Sequence, residues 1–306
     1  MKTAVWWIAL GLLWPQVPSP ALAESFDLSR SSVPREEILS GGPPKDGIPA
    51  LTDPQVVSAE EATYLRAADR VLGVVIGTQA RAYPIRILNW HEVVNDQLSG
   101  TPIVVTYCPL CGTGMVFRAE RRGQRMLFGV SGLLYNSDVL LHDKETESLW
   151  SQLKMEAVTG PRLGEQLEWL PAQHITWEIW RTAHPQTDVL SLNTGYDRDY
   201  GHDPYAGYAT NSRLMFPVRH RDARLAPKAW VAGVLIDGQP KAYPLKRLSS
   251  GHVLEDRVGV QMLHIMYDAN ARSVQVTDAN KNEVPVVQAY WFAWAAFYPE
   301  TWLYGE

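Results

Sequence analysis

Gly73-Val-Val-Ile-Gly-Thr-Gln-Ala-Arg-Ala-Tyr-Pro-Ile-Arg-Ile-Leu88 returns later in the chain, without a gap, as Gly233-Val-Leu-Ile-Asp-Gly-Gln-Pro-Lys-Ala-Tyr-Pro-Leu-Lys-Arg-Leu248. The same spacing still holds at Val93 and Val253, Asp96 and Asp256, and Tyr107 and Tyr267. Each copy reads as an apolar, β-branched strand, a two-residue turn and a second strand. An Ala-Tyr-Pro corner, a short helix and a further strand follow. Self-similarity of this kind points to duplication. The expected fold is α+β and predominantly β, a single compact domain built from two related β-rich halves. The halves are expected near residues 70–120 and 229–306, with an insert over 121–228.

The two copies part after the shared tyrosine. The first continues Cys108-Pro-Leu-Cys111-Gly-Thr113, the second Asp268-Ala-Asn-Ala-Arg272. Cys108 and Cys111 are the only cysteines. Ile103-Val-Val-Thr-Tyr107 precedes them and Met115-Val-Phe117 follows, a strand–turn–strand pattern with both sulfurs at the turn. Pro109 fixes its own φ there, and Gly112 accepts a positive one. Two such thiols can cycle between dithiol and disulfide, hold a metal, or form an inert staple. The staple is the weakest of the three, because a Cys-x-x-Cys bridge closes almost no loop and removes little chain entropy. The copy without thiols has Gly251 at the position of His91, with His252 one place further on. That comparison marks His91, out of eight histidines, as the candidate partner of the sulfurs. The alternative is a helix histidine satisfied by neighbouring backbone or by Glu92.

Lys2, the apolar run Val5–Trp14 and Ala21-Leu-Ala23 form a leader pattern, with cleavage expected after Ala23 and residues 1–23 excluded from the fold. The apolar run is short for a membrane span. No cysteine stands at the cleavage point to carry a lipid. The expectation is an exported, periplasmic chain, with a signal peptide and a mature domain without a membrane span. Loss of the leader's single lysine takes the net charge of −5 to −6. A mildly acidic chain argues against nucleic acid as a partner. The 12 tryptophans and 13 tyrosines read as core filling before they read as a ligand surface.

Residues 24–57 read as an arm and linker, with turn chemistry at Ser40-Gly-Gly-Pro-Pro. Ser58-Ala-Glu-Glu61 resembles a capping box and predicts a short helix through Ala68; the main domain is then 58–306. In the insert, Ser131 is a turn residue, because Gly132 falls too early for a nucleophile elbow. Tyr135, Asn136 and Asp138 are candidates to face a ligand, as is Glu92. Ser148–Gln152 reads as a strand. Thr176–His184 reads as an amphipathic helix ended by Pro185, with Trp177 and Trp180 in the core. The loop Gly195–Tyr205 does not have the spacing of a calcium loop; its Arg198, Asp199 and Tyr200 are further ligand-facing candidates. Tyr290–Tyr298 reads as a buried final strand or helix.

Five ordered motifs together carry a resemblance. Asn89-Trp-His-Glu-Val-Val-Asn-Asp96, Val105–Thr113, Phe128–Asp138, Ser148–Gln152 and Arg198-Asp-Tyr-Gly201 are similar to the DUF3179 family of bacterial and archaeal proteins, named for lacking an assigned function. The resemblance covers most of the chain. It implies that some relatives carry selenocysteine in the Cys-x-x-Cys segment, which favours redox chemistry. His142 stands where relatives have Tyr and takes no ligand role. Three functions follow from the residues. The first is a redox-active Cys-x-x-Cys site, by thiol–disulfide exchange or metal-assisted redox chemistry, with Cys108, Cys111 and His91 acting on a small molecule or a protein thiol. The second is a copper or zinc site on the same three residues. The third is a binding module in which the cysteines are structural. Oligomeric state is not written in the residues.

Overall fold

A computed structural model describes residues 26–306, so the expected leader and its cleavage point lie outside the described residues. The chain is predominantly β, with 41% strand against 10% helix, in a five-bladed propeller arrangement. Blade 1 is built on the hairpin Arg70–Ile76 and Gln79–Pro84, and blade 2 on Val93–Leu98, Thr101–Cys108 and Thr113–Arg118. Blade 3 holds Phe128–Tyr135, Asp138–Asp143, Leu149–Ser151 and Glu156–Ala157. Blade 4 is built on Trp230–Ile236 and Gln239–Pro244, and blade 5 on Val253–Val258, Gln261–Asp268 and Ser273–Asp278. The described residues form three α-helices of seven residues each: α1 (Ile85–His91), between blades 1 and 2, and α2 (Trp177–Ala183) and α3 (Trp291–Phe297), each joining two strands of one blade.

The two copies of the repeated stretch fold alike. Gly73 stands opposite Ala82 in blade 1, and Gly233 opposite Ala242 in blade 4. The tight turn of the second hairpin has both Asp237 and Gly238 at positive φ, which matches the right-handed twist of its strands. Below each corner a buried cluster recurs. In the first copy Arg81 donates to both oxygens of Asp96 at 2.8 and 2.7 Å, and the Tyr83 hydroxyl donates to Asp96 at 2.7 Å. In the second, Lys241 pairs with Asp256 at 2.5 Å beside buried Tyr243. The corner helix differs: α1 runs two turns, whereas Leu245–Arg247 is a single 3-10 turn.

The correspondence extends into the stretch read as an insert. Gln173–Thr176 pairs antiparallel with the first strand of blade 1, and Asp188–Leu190 pairs parallel with its second. Val287–Tyr290 and Trp302–Leu303 stand in the same relations to blade 4. α2 and α3 bridge these strand pairs. The Trp180 indole N–H donates to Thr187 Oγ1 at 3.0 Å and that of Trp294 to Thr301 Oγ1 at 2.8 Å. A side chain on Gly73 would overlap the Trp180 ring, and one on Gly233 the Trp294 ring. Glycine is required there by close approach, not by φ. Two hydrogen bonds then cross between the copies reciprocally. Thr176 N–H donates to the Ala271 carbonyl at 3.0 Å, and Tyr290 N–H to the Cys111 carbonyl at 2.9 Å.

Two expectations change on contact with the structure. The capping box at Ser58 is made, with Glu61 N–H donating to Ser58 Oγ at 3.2 Å and Ser58 N–H to Glu61 Oε2 at 2.9 Å. No helix propagates from it: Ser58 ends a strand and the chain turns irregularly to Asp69. One turn costs more dihedral freedom than its hydrogen bond returns, and Tyr64 is instead pulled inward to the Leu190 carbonyl. The stretch read as an arm contributes edge strands, Ile38–Ser40 to blade 3, Leu51–Thr52 to blade 2 and Val56–Ser58 to blade 1. Among the described residues no helix is long and apolar enough to cross a membrane.

Candidate metal centre

The blade 2 hairpin closes Cys108 opposite Thr113. The Cys108 carbonyl accepts the N–H groups of Cys111 at 3.2 Å and Gly112 at 2.8 Å, which folds the turn tightly and brings both sulfurs to one side. Gly112 has φ +70, and a Cβ there would sit 2.6 Å from the Trp230 ring. Turn geometry and the neighbouring indole therefore both demand glycine. Beneath the turn, Gln152 ties the two strands together. Its Nε2 donates to Thr106 Oγ1 at 2.8 Å, and its Oε1 accepts from Thr113 Oγ1 at 2.6 Å.

Blade 3 supplies the third group. Asn136 and Ser137 both have positive φ, giving a two-residue turn between Tyr135 and its partner Asp138 of the kind that suits twisted hairpins. Asn136 holds that turn in place by donating to the Ala296 carbonyl at 3.3 Å and accepting from Arg219 N–H at 2.8 Å. The Ser137 carbonyl lies 3.3 Å from the Cys111 sulfur and 3.8 Å from that of Cys108. Donor atoms of Cys108, Cys111 and Asp138 all lie within 4.8 Å of one another, and all three residues are buried. Asp138 Oδ2 accepts Leu153 N–H at 3.1 Å, while Oδ1 has no hydrogen-bond partner among the described residues.

The electrostatics follow from burial. Removal from water pushes the Asp138 carboxyl up to about 7, against the bond from Leu153. Burial likewise raises both thiols, and Cys111 is raised further by the sulfur of Cys108. Glu92, at the end of α1 with φ 58, is driven up to about 8 by burial, with the charge of Asp138 adding to the rise. The Tyr205 hydroxyl donates to it at 3.4 Å. Without a cation, this is a pocket of acids and thiols that holds its protons. A bound cation of suitable softness would reverse that preference, because thiolate and carboxylate are its ligands.

The other sequence candidates fall elsewhere. His91 is buried, but its Nδ1 lies 2.7 Å from the Pro49 carbonyl and its Nε2 2.6 Å from the Tyr200 hydroxyl. Both ring nitrogens are occupied, so the cluster on the sulfurs forms without it and carries Asp138 in its place. Tyr200 belongs to that His91 network, Arg198 lies over the Trp90 ring at 5.8 Å, and Asp199 caps its own loop through Gly201 N–H. Tyr135 packs edge-on against Phe297 at 5.5 Å. Ser131 is a turn residue: its hydroxyl donates to the Leu140 carbonyl at 2.5 Å and accepts Leu133 N–H at 3.0 Å, at the bulge in blade 3. His142 Nε2 meets Asp46 at 3.1 Å. The sequence reading did not single out Tyr205 or Tyr208, whose acidity the site's charges perturb; their signal was the aromatic density of the loop beyond Gly195.

The fold and the site define a predominantly β, five-bladed protein with a buried Cys-Cys-Asp cluster where the tips of two hairpins meet. The chain belongs to the family described as a protein of unknown function (DUF3179), whose profile matches residues 45–301. No curated protein and no solved structure matches it.

Proposed function

We propose that this is a metal-binding protein in which Cys108, Cys111 and Asp138 hold a thiophilic divalent cation, zinc before copper. The observation that carries the proposal is the convergence of three buried donors within 4.8 Å, one of them a carboxylate whose Oδ1 has only the two weakly donating thiols beside it. A buried acceptor so poorly paired is costly, and a cation removes that cost. Two sulfurs and an oxygen suit zinc, which accepts S, N and O donors, better than Cu(I), which favours soft donors alone. Three protein donors also leave one tetrahedral position for water, a substrate or a further protein oxygen.

The second reading is a dithiol cycling with a disulfide. It draws on Asp138, a carboxyl titrating near 7 beside two thiols, as a group able to take a thiol proton. Complete burial of both sulfurs weighs against protein thiols as substrates and leaves only small ones, since thiol exchange needs access. We further infer an exported chain whose leader ends at Ala23, and a core of two related halves, blades 1 and 2 with 4 and 5, into which blade 3 is inserted.

The test is metal content per chain after purification from the native compartment, beside Cys108→Ser and Asp138→Asn. Near-stoichiometric zinc in the parent and loss in both variants supports the metal reading. Metal-free parent protein with two titratable thiols overturns it and leaves the dithiol. N-terminal sequencing of the same preparation tests cleavage after Ala23.

A further inference from the structure

A cleft of about 550 Å³ opens between the two repeat copies, and neither cysteine lines it. Its walls are contributed in matched pairs: Tyr107 and Tyr267, Ile85 and Leu245, Arg70 and Trp230, His174 and Gln288. The first three pairs are separated by the repeat offset, and the fourth joins the equivalent strands that cross between copies. Arg70, Arg272, Lys246 and Lys228 all line the cleft, and no aspartate or glutamate does. In a chain of net charge −5 this is a local reversal of sign.

None of the four cations forms an ion pair among the described residues. Arg70 donates instead to the carbonyls of Ala271 at 3.0 Å and His174 at 2.8 Å, which braces its guanidinium at the wall. Lys228 is held by the carbonyls of Tyr208, Asn211 and Arg213. Arg272, exposed and held at φ 51, makes no side-chain hydrogen bond among the described residues. The carboxylate whose charge acts on Tyr107 is Asp203, itself tied to Asn89 at 3.0 Å. A second observation is independent of charge. His174 is 7% exposed, and its Nδ1 is buried with no partner. Tyr107 and Trp230 stand edge-on to its ring, each at 6.1 Å.

We propose that this cleft binds a small molecule bearing an oxyanion, a carboxylate or a phosphate, held by Arg70 and Arg272 with its body against Tyr107, Tyr267 and Trp230. Two arginines facing one cleft offer the forked donors that planar oxyanions take, and the aromatic walls suit a small organic body. The proposal does not depend on the metal reading. Tyr107 lines the cleft while Cys108 begins the other site, so the two are adjacent on one strand but separately testable.

The experiment is calorimetric titration of the purified, desalted protein with inorganic phosphate, with succinate and with glucose, following intrinsic tryptophan fluorescence in parallel. The expected result is saturable binding of phosphate or succinate and none of glucose. Arg272→Glu is expected to weaken that binding at least about tenfold, roughly one direct charged contact, with an unchanged melting temperature because Arg272 holds no other residue. Binding of phosphate alone or succinate alone identifies which oxyanion the cleft takes. Absence of saturation by both at about 10 mM, an affinity too weak for a built site, overturns the proposal. So does equal binding by the parent and Arg272→Glu.

Discussion

Replacing Asp138 by Asn should stabilise the metal-free protein while abolishing its stabilisation by zinc. The substitution keeps the shape of the side chain and leaves an oxygen to accept Leu153 N–H, now 3.1 Å from Oδ2. It removes the charge and sets an amide NH2 in the place of Oδ1. The folded carboxyl titrates at about 7 against an ordinary value of 3.8, so the folded state favours the protonated form. The penalty for the charged form is therefore absent below the unfolded value, grows as pH rises, and is complete above about 7. At about 1.4 kcal/mol per pH unit the ceiling is near 4 kcal/mol; relaxation of a buried site brings the expected gain to about 2 kcal/mol at pH 8, and to less at pH 5. Asp138 also adds to the raised pKa of Glu92, so loss of its charge works in the same direction. With zinc present the sign reverses, because the parent gains binding free energy through a ligand the variant lacks. Urea unfolding of both proteins at pH 5 and 8, chelated and with zinc, gives the four comparisons. A variant that is less stable than its parent at pH 8 without metal would refute the desolvation argument. Equal stabilisation of both proteins by zinc would refute the ligand assignment.

Glu92→Gln should raise stability above pH 8, where the folded parent carries a buried charge, and change little below pH 4.5, where both states are protonated; a gain confined to acid pH would contradict it. His91→Ala should cost about 2 kcal/mol through its lost bonds to Pro49 and Tyr200, yet leave zinc per chain unchanged; loss of metal would restore the sequence-based pairing of His91 with the sulfurs. Gly73→Ala and Gly233→Ala should each destabilise by about 1–3 kcal/mol, the range for overpacking a buried aromatic contact, and by similar amounts, since each meets an equivalent tryptophan. Thermal unfolding of the pair checks this, and one tolerated substitution would show that the two packings are not equivalent.

The strands were legible where the pattern was local. The two hairpins, the Ala-Tyr-Pro corners and the turn at Cys108 all follow from β-branched runs broken by Gly, Pro or Asp, and their registers are those the alternation implies. The second half of the correspondence was present in the residues but at another spacing. Trp177, Trp180, Pro185 and Thr187 match Trp291, Trp294, Pro299 and Thr301, a shift of 114 in place of 160, because blade 3 interrupts the first copy and nothing interrupts the second. A search at one offset passes over it. Asp138 was visible only as one polar residue among several. What selects it is the turn at Asn136 and Ser137, and that turn's position depends on contacts to Ala296 and Arg219, far away in sequence. His91 failed as a partner for a related reason. The sequence places it on α1 near the cysteines, but which way its ring faces is settled by Pro49 and Tyr200, neither of which lies in the repeat.

The comparison of the two copies also shows what makes the site. In the second copy the equivalent turn closes on itself: Asp268 Oδ1 accepts the N–H groups of Asn270 at 2.8 Å and Ala271 at 3.1 Å, and Ala269, Asn270 and Arg272 remain exposed. That turn is closed by its own aspartate and meets water, with Ala269 N–H also donating to Ser250 Oγ at 2.9 Å. In the first copy the side-chain acceptor is gone and a sulfur stands in its place, so within the turn the Cys108 carbonyl takes over as acceptor. Blade 3 then lies over it, carrying Ser137 and Asp138, and every residue from Cys108 to Gly112 is buried. The donor cluster therefore does not reside in the matching hairpins alone. It arises where blade 3 covers one of two similar turns and sets a carboxyl group against two buried thiols. A chain without blade 3 would keep both cysteines, expose them, and lose the third donor, which makes the insert as much a part of the proposed centre as the Cys-x-x-Cys turn.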